Sequence, residues 1–155
     1  MTTLDSSAPS AEPVVVVRRA GVDDLDAVWP LARDFATSFT PQREPFEATF
    51  GALLRLPDAL LLVVERASDV VGYLLAHRHP TFLANAPVVW VEEVAVDASV
   101  RGQGLGRLLM TAAEWWAAES GAAYVSLASR RSGEFYAALG YEDSATFYKK
   151  PAPPR

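Results

Sequence analysis

Residues 91–117, VEEVAVDASVRGQGLGRLLMTAAEWWA, are the most informative part of the chain. It starts inside an apolar run over 88–96 that is typical of a buried strand and is interrupted by Glu92 and Glu93. A glycine-rich turn follows over 101–106, and an amphipathic helical pattern continues to about Ser120, before Gly121. The stretch therefore predicts a strand that is joined to a helix by a turn with few side chains.

The glycines of this turn favour a binding site for an anion. Gly102, Gly104 and Gly106 allow the main chain to approach a ligand closely and to adopt a positive φ. The first amides of the helix have no partner within it, and its positive end attracts negative charge, so we expect a pyrophosphate here. One side of the helix is expected to pack on a sheet, and the opposite side is expected to contact water. The packing side consists of Leu105, Leu108, Leu109, Ala112 and Trp116. The water-facing side consists of Arg107, Thr111, Glu114 and Ala118.

Two other phosphate motifs do not fit the turn. A dinucleotide fingerprint needs a small residue where Arg107 stands, and it normally belongs to the first strand–helix unit of a chain. A Walker A loop needs Gly-Lys followed by Ser or Thr, which the turn lacks. From the glycines alone, a flexible turn without any ligand stays open.

The rest of the chain alternates strand-like and helix-like patterns. Two apolar runs separated by a polar turn, 60–65 and 70–77, indicate a β-hairpin. Further strands are predicted over 14–18, 125–128 and 141–149, and further helices over 25–39, between Pro45 and Pro57, and over 133–139. This order indicates an α/β or α+β sheet with helices on its faces.

Composition sets the broad class of the protein. The chain has 155 residues, no cysteine, and 14 Lys plus Arg against 19 Asp plus Glu, a net charge of -5. These values indicate one domain over 14–150 and argue against thiolate chemistry and nucleic-acid binding; we predict no metal site. Residues 1–13 lack a signal peptide's apolar core and are expected to form a disordered leader. Residues 151–155 are expected to form a disordered tail. Apolar runs are too short to span a membrane, so we expect a cytoplasmic protein.

Two segments resemble signatures of the GNAT-type N-acetyltransferases. Arg101-x-x-Gly104-x-Gly106, after an acidic strand, is similar to the acetyl-CoA-binding signature of that family. The segment LASRRSGEFYAALGY, residues 127–141, is similar to its second signature, with Ser129 at the usual asparagine position. The resemblance implies a GNAT-like mixed sheet of about six to seven strands, splayed at its centre and flanked by about four helices.

The resemblance also implies acetyl-CoA as the acyl donor and direct acetyl transfer to a primary amine in a ternary complex. The acceptor is expected to be an amine on a small molecule or on a protein. The residues expected to bind the cofactor are Val94, Ala95, Val96, Arg101, Gly102, Gln103, Gly104, Leu105, Gly106, Arg107 and Ser129. A non-catalytic acetyl-CoA-binding or sensing module is the alternative, and a homodimer, common among such enzymes, stays open.

Two catalytic side chains follow from the same resemblance. Because side chains alternate along a strand, Glu92 and Glu93 are expected on opposite faces, with one of them facing the cleft. Glu92 is the favoured general base, acting through a water molecule. Tyr136 matches the residue that donates a proton to the departing CoA thiolate.

Overall fold

The computed structural model describes residues 11–154. Within this range the chain forms five strands and four α-helices in one mixed α+β arrangement. In chain order these are β1 (Val15–Arg19), α1 (Leu25–Phe35), α2 (Arg43–Leu53), β2 (Ala59–Arg66), β3 (Asp69–His79), β4 (Val88–Val96), α3 (Leu105–Glu119), β5 (Val125–Leu127) and α4 (Gly133–Ala138). The predicted strand over 88–96 and the predicted hairpin, now β2 and β3, are confirmed.

The sheet has the strand order β1-β2-β3-β4-β5. The first three pairs are antiparallel, and β4 pairs with β5 in parallel. The parallel pairing runs only from Val89, opposite Val125, to Val91, opposite Leu127. Beyond Val91 the strand β4 continues to Val96 without a partner on its β5 side in the described part of the chain.

Helices cover both faces of the sheet. On one face α3 buries Leu109 and Met110 against Leu74 and Val89, all fully inaccessible to solvent. On the other face α1 and α2 contribute Val28 and Phe50 to a second core with Val63 and Tyr73. Burying such a side chain stabilises the fold by roughly 1.5–3 kcal/mol, so the two cores fix the positions of β4 and α3.

The predicted apolar side of α3 is partly wrong. Leu105 and Leu109 are buried, but Leu108 is 44% exposed, and Ala113 and Ala117 are buried in its place. The residues of α3 that contact the sheet are spaced four apart: Leu105, Leu109, Ala113 and Ala117. The two alanines among them let the helix lie close to the strands. Ala112 and Trp116 border these residues and are half-buried.

The predicted strand over 141–149 does not form, so the described sheet has five strands instead of six or seven. Beyond Tyr141 the segment makes no backbone hydrogen bond to the rest of residues 11–154. Its aromatic residues favour a strand only where their side chains pack on a half-buried sheet surface. Here the side chains after Tyr141 are exposed, so this packing is absent. The segment contacts the domain through Phe147 on Trp90 and Lys149 on Phe39.

The ends of the ordered elements also differ from expectation. The first helix stops at Phe35 because Ala36 has an extended conformation, with φ −68° and ψ 126°. Residues 1–10 of the predicted leader and Arg155 of the predicted tail lie outside the described residues. Between residues 11 and 154, no helix has both the length and the apolar character needed to cross a bilayer.

Gly72 in β3 gives a test of this packing. A Cβ atom there would lie 2.8 Å from the carbonyl oxygen of Ala95 and 2.9 Å from Cγ1 of Val64, both in tightly packed strands. We expect Gly72→Ala to lower the free energy of unfolding by about 1–3 kcal/mol, because the strands must move apart. Urea denaturation measures this change.

Gly51→Ala in α2 is the matched control, since a Cβ atom there meets only the Nη1 atom of Arg55 at 3.6 Å. It is expected to stabilise the protein by about 0.5–1 kcal/mol. Equal denaturation midpoints for the two variants would contradict the proposed close packing at Gly72.

Candidate functional site

The turn before α3 has the backbone that its glycines predict. Gly102 and Gly104 both have a left-handed conformation, with φ of 76° and 79°, and Gly104 is the N-cap of the helix. The Arg101 Nε atom donates to the carbonyl oxygen of Val96 at 3.1 Å, which ties the turn to the end of β4. Because the first amides of a helix have no intrahelical partner, the turn presents donors to solvent at the positive end of α3.

A cavity of about 230 Å³ lies beside this turn. Its wall combines the unpaired end of β4, the turn, the start of α3, and α4. The residues that line it are Val94, Val96, Val100, Arg101, Gly102, Leu105, Gly106, Ser132, Phe135 and Tyr136. The structure therefore brings the first signature, the end of β4 and Tyr136 to one cleft.

Other predicted cofactor residues lie outside the wall of this cavity: Ala95, Gln103, Gly104, Arg107 and Ser129. Ala95 packs against the core on the α1 and α2 face. Gln103 and Gly104 in the turn and Arg107 at the start of α3 are exposed. Ser129 is used locally, because its Oγ atom accepts a hydrogen bond from the Ser132 amide at 3.1 Å.

Sequence reasoning missed three cavity residues as binding residues: Val100, Ser132 and Phe135. The last two stand in the second signature segment, which was the available signal for them. Val100 belongs to a short 3₁₀ turn, Ala98–Val100, which the Asp97 carboxylate caps by accepting from the Ser99 amide at 2.9 Å. Nothing in the apolar pattern distinguishes Val100 from a core residue.

Gly106 permits close packing of α4 on the start of α3. A Cβ atom at this position would lie 3.3 Å from Cζ of Phe135 and 4.0 Å from Cγ2 of Val96. Phe135 in turn contacts the ring of Tyr136 edge to face, with ring centroids 4.9 Å apart. The third glycine of the turn therefore serves packing, and it holds the aromatic pair against the cavity.

Tyr136 is half-buried at the cavity. Burial raises the pKa of its phenol, because the phenolate loses solvation. Its ring also contacts Tyr141, whose hydroxyl donates to Oε1 of Glu114 at 2.8 Å. The Tyr136 hydroxyl is therefore protonated at neutral pH and available as a proton donor.

The expected alternation of Glu92 and Glu93 is wrong. The register between β3 and β4 shifts, so Leu75 pairs with Glu93 and Ala76 with Val91, and Glu92 forms a bulge. As a result Val91 and Val94, three residues apart, pack on the same core beside α3. The bulge lies next to the last pair of β4 with β5.

The two glutamates have different surroundings. Glu93 is half-buried, and its Oε2 atom accepts a hydrogen bond of 2.6 Å from the Tyr73 hydroxyl. Tyr73 is 2% exposed, and burial together with the Glu93 charge raises its pKa, so it stays a neutral donor. Glu92 is exposed and has no hydrogen-bond partner among residues 11–154. Glu93 is thus an anchored carboxylate, and Glu92 is available to solvent.

An open sheet edge lies beside a glycine-capped helix, and the Tyr136 phenol lines the same cleft. Residues 25–141 match the Acetyltransferase (GNAT) family, and the chain belongs to that family.

Three similar proteins illustrate the match. The aminoalkylphosphonate N-acetyltransferase of Salmonella typhimurium is 27% identical over 141 residues, which cover 85% of this chain and 88% of that protein. The aminoglycoside N-acetyltransferase AAC(6')-Iy, solved in complex with CoA, has a TM-score of 0.80 at 19% identity, covering 94% of this chain and 99% of that one. The glucosamine-6-phosphate N-acetyltransferase of Arabidopsis thaliana has a TM-score of 0.79 at 19% identity, covering 89% and 98%. These two structures share the fold.

Gly104→Ala tests whether the turn binds a coenzyme phosphate. A left-handed φ costs an alanine about 1 kcal/mol, and relief of this strain displaces the amides that face the ligand. We expect the Kd for CoA, measured by calorimetry, to rise by roughly five- to tenfold, which corresponds to about 1 kcal/mol.

Gly121→Ala is the matched control, because Gly121 has φ 73° and open space around it, beyond the opposite end of α3. Both variants should lose similar stability, and only Gly104→Ala should lose affinity for CoA. Equal affinities in the two variants would show that the turn does not bind the coenzyme.

Proposed function

We propose that the protein transfers an acetyl group from acetyl-CoA to a primary amine by direct attack in a ternary complex. The observation that carries this proposal is the cleft that joins the glycine turn, the unpaired end of β4 and the Tyr136 side chain. Membership of the acetyltransferase family supports it. Two similar proteins are named as acetyltransferases of an aminoalkylphosphonate and of an aminoglycoside. These names support a small-molecule amine as the acceptor.

The pyrophosphate of the coenzyme is assigned to the backbone amides of residues 102–107. They lie at the positive end of the 15-residue helix α3, where a phosphate gains hydrogen bonds and the helix dipole together. Arg101 adds a positive charge next to the amides and is itself held by Val96. Gln103 and Arg107 contribute their amides, since their side chains lie on the exposed surface of the turn.

The pantetheine arm is assigned to the edge of β4 between Val94 and Val96. Backbone groups of this strand point alternately to its two sides, and β3 pairs with only one of them. The groups on the other side need a partner, which an amide-containing arm supplies. We assign the polarisation of the thioester carbonyl to the Val94 N–H, a contribution that is typically worth about 3–4 kcal/mol of the barrier.

Glu92 is assigned as the general base that acts through a water molecule. A lysine-like amine with a pKa near 10.4 is neutral in only about one part in a few thousand at pH 7, so the reaction needs assisted deprotonation. The bulge exposes Glu92, whereas the hydroxyl of Tyr73 occupies an oxygen of Glu93. Of the two carboxylates, Glu92 is the one that water reaches freely.

Tyr136 is assigned as the general acid for the CoA thiolate. With ordinary pKa values of about 10 for a phenol and 8.5 for a thiol, the proton transfer is uphill by roughly 2 kcal/mol. Burial raises the pKa of Tyr136 and so makes the phenol a weaker acid. The phenol must therefore donate its proton to the CoA sulfur while the C–S bond breaks, before a full thiolate has formed.

A non-catalytic acetyl-CoA sensor is the second candidate function. One observation favours it: Ser129, at the position of the family's usual asparagine, is engaged with the Ser132 amide instead of lining the cavity. Thiol release from acetyl-CoA with a panel of amines separates the two functions. Amine-dependent release is expected, and tight coenzyme binding without turnover on any amine would support the sensor.

Tyr136→Phe tests the assigned acid. We expect kcat to fall by about one to three orders of magnitude while the Kd for CoA stays unchanged, because the ring and its packing remain. Tyr124→Phe, at a 53% exposed tyrosine outside the cavity, is the control and should keep full turnover. Wild-type turnover by Tyr136→Phe would remove the phenol from the mechanism.

Glu92→Gln tests the assigned base. An amide cannot take up the proton of the attacking amine, so we expect kcat/KM to fall by about two to four orders of magnitude. Glu119→Gln, an exposed residue at the end of α3, serves as the control and should keep the wild-type kcat/KM. A wild-type kcat/KM in Glu92→Gln would exclude Glu92 as the base.

A further inference from the structure

The lysines of this chain are confined to one place. Lys149 and Lys150 are the only two lysines in 155 residues, whereas twelve arginines are spread over the sequence. A lysine amine becomes a nucleophile when it loses its proton, and an arginine guanidinium does not. The side-chain amines that an amine acetyltransferase could modify in itself are therefore limited to the C-terminal segment.

This segment lies against the sheet face that carries Glu93. Val89 and Val91 pack towards α3, so Trp90 between them points to the opposite face. The ring of Phe147 stacks on Trp90 with a centroid distance of 6.2 Å and an angle of 24°. Two residues further on, the Lys149 Nζ atom lies 5.4 Å from the ring centroid of Phe39.

The stacked ring places the segment beside β4. Trp90 precedes Glu92 by two residues in that strand, a separation of about 7 Å along it. Lys149 follows Phe147 by two residues. The amine of Lys149 is therefore tethered two residues from a contact on the strand that carries Glu92.

The segment is free to adjust its position. From residue 142 to residue 154 it makes no backbone hydrogen bond to the rest of the described chain. Its contacts are the stacked ring and the cation over an exposed ring, and such a cation contact is worth only about 0.5–1 kcal/mol at a surface. A short flexible tether holds its end at an effective concentration on the order of millimolar.

We propose that Lys149 is an acetylation site that the protein modifies in its own chain. The inference rests on the proposed function, which supplies acetyl-CoA and the base. The neutral Lys149 amine forms a bond to the thioester carbon, the C–S bond breaks, and CoA leaves as a thiol with a proton from Tyr136. The two protons that the lysine ammonium loses pass to Glu92 through water and then to solvent, so an acetyl-lysine, CoA and one net proton are formed.

Acetylation of Lys149 has a structural consequence. The amide product has no charge, so the cation contact with Phe39 is lost. The stacking of Phe147 on Trp90 does not depend on that charge and is retained. An external amine meets less competition from the segment once Lys149 has been acetylated.

The test is incubation of the purified full chain with acetyl-CoA and no added amine, followed by intact-mass and peptide-mapping mass spectrometry. One acetyl group on Lys149 is expected, at an initial rate per molecule that does not depend on protein concentration. Lys149→Arg keeps the positive charge and should lower acetyl incorporation by at least about tenfold, because the tethered amine is gone. Lys150→Arg is the matched control and should be acetylated like the wild type. Tyr136→Phe should be acetylated more slowly.

Several outcomes overturn the inference. They are a rate proportional to protein concentration, acetylation of Lys150 in place of Lys149, and equal labelling of wild type and Tyr136→Phe, which indicates uncatalysed chemistry. A parallel assay with the amine panel separates this inference from the proposed function. Turnover of external amines without acetyl-Lys149 overturns self-acetylation alone, whereas the absence of coenzyme binding overturns both.

Discussion

The early end of the pairing between β4 and β5 is the constraint on which the rest of the site depends. Three residue pairs join the strands, from Val89 opposite Val125 to Val91 opposite Leu127, and β4 then continues alone to Val96. An unpaired strand edge inside a domain leaves backbone donors and acceptors that need partners. The bulge at Glu92 begins at the same point and separates the β4 residues that pack on β5 from those that line the cleft.

The charges around the cleft are divided between its two ends. The positive end of α3 and Arg101 lie at one end, and the exposed Glu92, which does not line the cavity, stands two residues before Val94 of its wall. Glu93 contributes differently, because its hydrogen bond to the buried Tyr73 ties the bulge to β3. This arrangement suits a ligand with a polyanionic tail and an acyl end that meets a cationic amine.

Much of this architecture follows from local sequence signals, and the remainder depends on tertiary contacts. The strand Val88–Val96, the glycine turn and α3 are predictable because β-branched residues, glycines and a helical period agree over a long segment. The bulge is not, since the register of Leu75 with Glu93 is set by the neighbouring strand. The aromatic residues around Phe147 predict a strand, but no strand forms there, and the Phe147 ring stacks on Trp90 of the sheet instead. Of the residues that line the cavity, Tyr136 and Gly102 belong to sequence motifs, whereas Val100 has no local signal.

We propose that main-chain amides at the start of α3 and along β4 bind the coenzyme. Amide NMR spectra of the isotopically labelled protein, titrated with CoA, test this binding residue by residue. We expect the largest shifts on the amides of Gly102, Gly104 and Gly106 and on those of Val94 and Val96, with smaller changes in β1 and β2. Saturating CoA that leaves these amides unshifted, or that shifts a different part of the chain, would contradict it.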